Sequence, residues 1–331
     1  ASPAGADLIK DSSPFFRITL IALPITAMSG VVVAFLNSNE RFTFGAIGTL
    51  TFNTCLIVAL LMFSGASPVI AVVVGILCGV VLRLLVQLIA SRKFWTHPDF
   101  TAPFDRLGLL RRFAGSFGFF SILALLPPLA RAYASLVEPG ALSMFNYAYK
   151  LMELPMAIIV SAIVTVLLPR LSGHVRDGQP EQAAQNLGLA MRAIGVLLLG
   201  IAIATFFQAE TVVQIVFYSA PFSPEQFRDL GLVVSLGFIG IPFQGLVLLY
   251  GTAFVSYDRT AALVLASVLM VGVMAAAGFY LQGIWGVKGV MIAYVMSQIA
   301  GAAFSHGLRC PECCVQLGRE WVRHVGGGAQ P

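Results

Sequence analysis

The sequence predicts an all-α polytopic membrane protein with about nine transmembrane helices, and three observations predict it. Hydrophobic residues make up 58% of the 331 residues and charged residues only 11%, where a soluble domain carries about 25% charge. The mean hydropathy is +0.88. The apolar residues are gathered into long runs near the ~20 residues that span a bilayer. So few charges cannot cover a soluble surface of this size. A soluble enzyme, a disordered tail and a nucleic-acid-binding domain are thereby excluded. Strands of a membrane barrel would be shorter and alternating.

The runs fall at about 15–36, 45–63, 68–90, 113–136, 142–168, 183–207, 229–251, 260–280 and 286–304. Spans 2 and 3 are separated by Ser64-Gly65-Ala66-Ser67, with Pro68 suited to a first helical position. Glu138-Pro139-Gly140 breaks the chain between spans 4 and 5. Residues 208–228 hold Val212 to Tyr218, too short to span and expected to lie at the outer interface. Ser223 and Pro224 then suit the N-cap and first turn of the next helix. Pro24, Pro127, Pro128, Pro155 and Pro242 fall inside four spans. Each removes a backbone donor. Bent spans around a cavity and ordinary membrane-helix proline are the two readings.

Loop charges set the orientation. Arg41, then Arg92, Lys93, Arg106, Arg111 and Arg112, then Arg170, Arg176, Arg259, Arg309, Arg319 and Arg323 lie on one side. The other side holds Lys10, Arg17, Arg228 and Lys288. The C-terminus is therefore cytoplasmic, and an odd helix count puts residue 1 outside. The chain opens at Ala1 with no signal-peptide pattern. The expectation is an upstream segment with an odd number of helices. Residues 91–112, with Phe94, Trp95 and Phe104 among the charges, read either as an interfacial stretch against anionic phospholipids or as a solvated connector.

Charges inside spans are expensive and mark function or pairing. Arg83 lies in span 3 with Gln87 one turn on; Arg131 is near enough to the end of span 4 to snorkel; Arg192 is inside span 6. Span 5 carries Asn146, Lys150 and Glu153, spaced to share one helix face beside Pro155. This face is either a structural ion pair or part of a hydrated cationic cavity for an anionic headgroup. Glu153 is the only acidic residue well inside a span. A cation channel would reverse that balance, and a proton relay would have Glu153 as its sole member. The coupling ion is left open.

Catalysis finds no support: no nucleophile–base–orienter set exists, and no GxxxxGK[ST] loop cradles nucleotide phosphates. No cofactor is expected. The tail from His306 through Cys310, Cys313 and Cys314 has one CxxC step without a second half, so no metal site is expected. Juxtamembrane thiols suit that pattern better.

Several strings resemble the MurJ/MviN family of lipid II flippases, within the multidrug, oligosaccharidyl-lipid and polysaccharide exporter group. Leu23-Pro24 and then Leu36-Asn37-Ser38-Asn39-Glu40-Arg41-Phe42 are similar to its helix proline and L-N-x-x-x-R-F turn; Asn53 falls where the next L-N stands. Gly79 to Leu88 is similar to G-G-V-L-Q-L-x-x-Q-L, with Arg83 at the first Gln. Tyr147-Ala148-Tyr149-Lys150-Leu151-Met152-Glu153-Leu154-Pro155 resembles Y-A-D-R-L-x-x-x-P, and Thr165 to Ser172 resembles T-x-L-L-P-x-L-S. Pro221-Phe222-Ser223 and Tyr257 to Thr260 resemble two later stretches, so the likeness covers about residues 12–305.

The resemblance implies helices 4–12 of a 14-helix, two-lobed flippase in the bacterial inner (cytoplasmic) membrane. On that footing residues 1–90 are the rear of an N-terminal lobe with three spans, and 91–112 a basic cytoplasmic inter-lobe loop. Residues 113–304 are six helices of the C-terminal lobe, and 305–331 a cytoplasmic tail. The implied partner is an undecaprenyl-diphosphate-linked glycan, flipped from the cytoplasmic to the periplasmic leaflet. Lys150, Glu153, Asn146, Tyr149 and Arg83 are the expected substrate-binding residues. Tyr149 and Lys150 stand where the family has aspartate and arginine, replacing a bidentate fork by a point charge. Export of another polyprenyl-linked oligosaccharide, such as an O-antigen or exopolysaccharide unit, is the alternative within transport. A truncated, non-transporting membrane protein is the alternative outside it.

Overall fold

The computed structural model describes residues 17–39, 41–63, 68–94, 106–218, 222–256 and 260–307. Every regular element among them is helical. Among the described residues, eight helical segments are long and apolar enough to cross a membrane. The chain divides into two compact units, 1–103 and 104–331. The cysteines of the tail, Trp95 and Phe104 lie outside the described residues.

The first unit contains α1 (Ala22–Ser38), α2 (Thr43–Met62) and α3 (Pro68–Ser91), closed by a single 3-10 turn, Arg92–Phe94. Helix α3 packs against both others. Its Gly75 lies against Leu56 and Ala59 of α2, and Gly79 against Phe52. Small residues let membrane helices approach closely, where lipid tails offer no hydrophobic drive to associate. Many large residues point outward: Val31 and Leu61 are each 71% exposed. An apolar surface of this kind suits lipid rather than water.

The second unit holds α4 (Arg106–Leu123), α5 (Leu126–Val137), α6 (Ala141–Pro155), α7 (Ser161–Arg176), α8 (Pro180–Val216), α9 (Pro224–Ser256) and α10 (Thr260–Gly307). Helix α9 is apolar on all sides and packs against α6, α7, α8 and α10, so it forms the core of the unit. The start of α9 follows the sequence expectation. The Ser223 backbone N–H donates to Gln226 Oε1 (2.9 Å), and the Gln226 N–H donates back to Ser223 Oγ (3.3 Å), a reciprocal capping box.

Three of the interruptions follow from missing backbone donors. Pro24 leaves the Leu20 carbonyl without its helical partner, and a turn stands at Leu20–Ile21. Pro127 and Pro128 open α5 directly after the turn at Ala124–Leu125, splitting span 4. Pro155 ends α6 and is followed by a π-helical turn, Met156–Val160, before α7. Helix α9, in contrast, runs through Pro242 without a break. Two further breaks carry no proline. Gln208 leaves helical geometry inside α8 (φ −122°, ψ 21°). Beyond this kink helical structure resumes to Val216, so most of the stretch from Val212 is helical.

The count of nine spans becomes eight continuous segments because the last two lie in one helical segment. Helix α10 has 48 residues, a length of about 72 Å if straight, against a hydrocarbon core of about 30 Å. It is not straight. Gly286 has φ 59° and ψ −137°, a conformation that L side chains rarely adopt. Gly289 lies directly against the Leu281 backbone carbonyl, and Gly301 against the Met270 thioether. Residues on either side of Gly286 therefore meet, and α10 folds back on itself as a helical hairpin.

Candidate functional site

Arg83 belongs to the first unit; the other expected site residues belong to the second. Within the first unit, the Arg83 side chain passes Gly48 of α2, and Gln87 lies one turn further along α3. Gln87 is fully buried, and the Ser29 hydroxyl of α1 donates to its Oε1 at 2.6 Å. Arg83 Nε and Gln87 Nε2 are buried with no hydrogen-bond partner among the described residues. The result is a donor-rich polar spot inside three apolar helices.

In the second unit, Lys150 Nζ lies 2.5 Å from Glu153 Oε2 on α6, the i,i+3 pairing expected from the sequence. Both side chains are substantially exposed. Asn146 makes a different contact. It accepts from Arg131 Nε across the α5–α6 turn at 2.8 Å. The same guanidinium lies over the Tyr149 ring, 5.3 Å from its centroid, a cation–π geometry. Gly140 (φ 94°) permits the tight reversal that brings α5 beside α6. The polar face of α6 is thus completed by an arginine from the preceding helix.

Tyr149 is 9% exposed, stacked on Phe145 and edge-on to Tyr294 at 5.8 Å. It lines a cleft of about 210 Å³ with Gln244, Tyr294 and Gln298 on the polar side and Phe120 and Val247 on the apolar side. Gln244 Nε2 donates to the Tyr294 hydroxyl at 3.4 Å. Gln298 is 2% exposed, and its Oε1 has no partner among the described residues. Arg192 sits on the exposed side of α8. His306, in the last turn of α10, pairs through Nδ1 with the Tyr250 hydroxyl at 2.8 Å.

Sequence reasoning placed Arg131 at a helix end and did not join it to the α6 cluster. Its sequence signal was its distance of 15 residues from Asn146 across a Pro-Gly break. Gln244, Tyr294 and Gln298 gave no signal, because a lone amide or phenol in an apolar run is usually structural.

Two helical units with proline-interrupted apolar segments and cations inside those segments define a multi-pass membrane protein. Among solved structures, the fold matches lipid II flippase MurJ in an inward closed conformation with a TM-score of 0.68 at 15% identity, covering 96% of this chain and 69% of that one. It matches the Vibrio cholerae MATE transporter VcmN in the bent form with a TM-score of 0.71 at 13% identity, covering 95% and 72%. The family model for lipid II flippase MurJ matches residues 9–324, and the chain belongs to that family. The probable lipid II flippase MurJ of Rhizobium meliloti is 28% identical over 257 residues, 74% of this chain and 47% of that protein. The Thermotoga maritima relative is 25% identical over 304 residues, 90% and 59%. The chain spans about half the length of the curated relatives it matches. It is a multi-pass protein of the bacterial inner membrane.

Proposed function

We propose that this chain works in flipping an undecaprenyl-diphosphate-linked peptidoglycan precursor, lipid II, from the cytoplasmic to the periplasmic leaflet. It acts as a transporter and not as an enzyme. The observation that carries this reading is the α5–α6 cluster: two intramembrane cations, Arg131 and Lys150, with Glu153 as the one carboxylate of the cluster. A net positive site in a low-dielectric surround attracts a diphosphate strongly. Asn146 takes the Arg131 Nε–H, which leaves the two terminal amino groups of the fork as its remaining donors. Glu153 orients Lys150, and Tyr149 supplies the ring face that fixes the guanidinium plane. Breaks at Pro24, Pro127–Pro128 and Pro155 supply flexible points for alternating access. The substrate cleft and anionic lipid contacts are part of the same proposal.

A second reading has one specific observation behind it. Tyr149 and Lys150 occupy the positions of the family's Asp-Arg pair, which favours a polyprenyl-linked oligosaccharide other than lipid II. Binding in nanodiscs separates the two. Wild-type protein is expected to bind lipid II more tightly than a sugar-only diphosphate lipid, with Arg131→Ala weakening it by about tenfold to a hundredfold, the contribution of charged hydrogen bonds. Preference for the sugar-only lipid would move the assignment to the second reading. Equal binding by wild type and Arg131→Ala would remove the cluster from the site.

A further inference from the structure

The first unit carries a second basic site, built from two segments far apart in sequence. After α1 the chain is held by the Asn39 and Arg41 backbone N–H groups, both donating to the Leu36 carbonyl at 3.1 and 2.9 Å. The Asn39 side chain also donates to the Phe35 carbonyl at 2.9 Å. Arg41 is thereby fixed between α1 and α2. At the far end of α3, the backbone tightens into the 3-10 turn Arg92–Phe94. The Arg41 guanidinium lies over the Phe94 ring at 5.8 Å. A pocket of about 410 Å³ opens there, lined by Arg41, Lys93, Phe44, Phe94, Val86 and Ile89, among others. This volume is within the ~300–1,000 Å³ of small-molecule sites.

The lining states the chemistry of its ligand. Two cations stand with no carboxylate among the described lining residues. The walls are aliphatic side chains from the last turns of α3 and two aromatic rings. The loop charges place this end of the unit at the cytoplasmic face. The occupant must therefore be anionic at one end and apolar at the other, and must be present at the inner leaflet surface. We propose that this pocket binds the phosphate of an anionic phospholipid, with the acyl chains running down the outer face of α3. A soluble phosphate would have no use for the apolar walls. The site does not depend on what the α5–α6 cluster transports.

The test is native mass spectrometry of the chain in neutral detergent, with added phosphatidylglycerol or phosphatidylcholine. Detergent removes the general attraction of a charged bilayer, so retention reports contact. Wild type is expected to retain phosphatidylglycerol selectively, and millimolar inorganic phosphate is expected not to displace it. A basic residue beside an anionic lipid contributes about fivefold, so Arg41→Gln with Lys93→Gln should lower retention about thirtyfold. Arg92→Gln removes the same charge from the same turn but outside the pocket lining, and should change retention less than twofold. Equal losses from Arg92→Gln and Lys93→Gln would overturn the proposal, as would unchanged retention in the double variant or displacement by inorganic phosphate. A photoreactive phosphatidylglycerol on the wild-type chain gives a readout free of folding effects. Labelling near Phe44 or Phe94 is expected, and labelling confined to other segments would also overturn it.

Discussion

Gly289→Ala probes the reversal of α10 directly. A methyl group at Gly289 would overlap the Leu281 carbonyl oxygen and lie 2.6 Å from its carbon. Both obstacles are backbone, so no rotamer change relieves them. The two halves of the hairpin must move apart, which loosens the Gly301–Met270 contact at its other end. Overpacking of this kind costs about 1–3 kcal/mol. Gly272 is the internal control, since nothing lies within 4 Å of its added methyl. There, Gly→Ala is expected to gain up to about 1 kcal/mol of helix propensity. The assay is equilibrium unfolding of both variants in mixed detergent micelles, followed by helical circular dichroism. The expected order of stability is Gly272→Ala, wild type, Gly289→Ala. A Gly289→Ala protein as stable as wild type would refute the hairpin, because a helix running straight through Gly286 leaves residue 289 remote from Leu281.

Other outcomes follow from the contacts described. Gln226→Ala removes the side-chain half of the capping box at α9 and should cost about 1 kcal/mol in the same unfolding assay. Lys150→Gln should weaken diphosphate-lipid binding severalfold, and a large stability loss with intact binding would make the Lys150–Glu153 pair structural. Ser29→Ala removes the hydrogen bond to buried Gln87 and should cost about 1 kcal/mol, measured by unfolding of the full chain.

Much of the architecture was legible in the residue order. Span positions depend on composition over about 20 residues, which a bilayer reads almost independently of the fold. The Lys150–Glu153 contact follows from i,i+3 spacing, and the Ser223 cap from a local hydrogen bond. Pro127–Pro128 and Pro155 marked real breaks because a missing N–H acts on the backbone one turn away. Pro242 marked none, in a helix enclosed by its neighbours.

The candidate site was legible only in half. Asn146, Lys150 and Glu153 could be placed on one face of α6, but the partner of Asn146 was decided by the turn at Gly140, which brings Arg131 alongside. Tyr149 is a core residue and cleft wall because α10 packs Tyr294 against it, and no spacing rule connects positions so far apart. Composition and short-range spacing thus determined that this chain is a membrane protein, where its helices lie and where they carry charge. The tertiary structure alone decided that the last two spans join in one helical segment with its reversal at Gly286, and that Arg131, Arg41 and Ser29 meet their partners. Those contacts depend on the rotation and direction of packed helices. A turn of about 100° per residue changes which face meets a neighbour without changing the apolar pattern that a membrane requires.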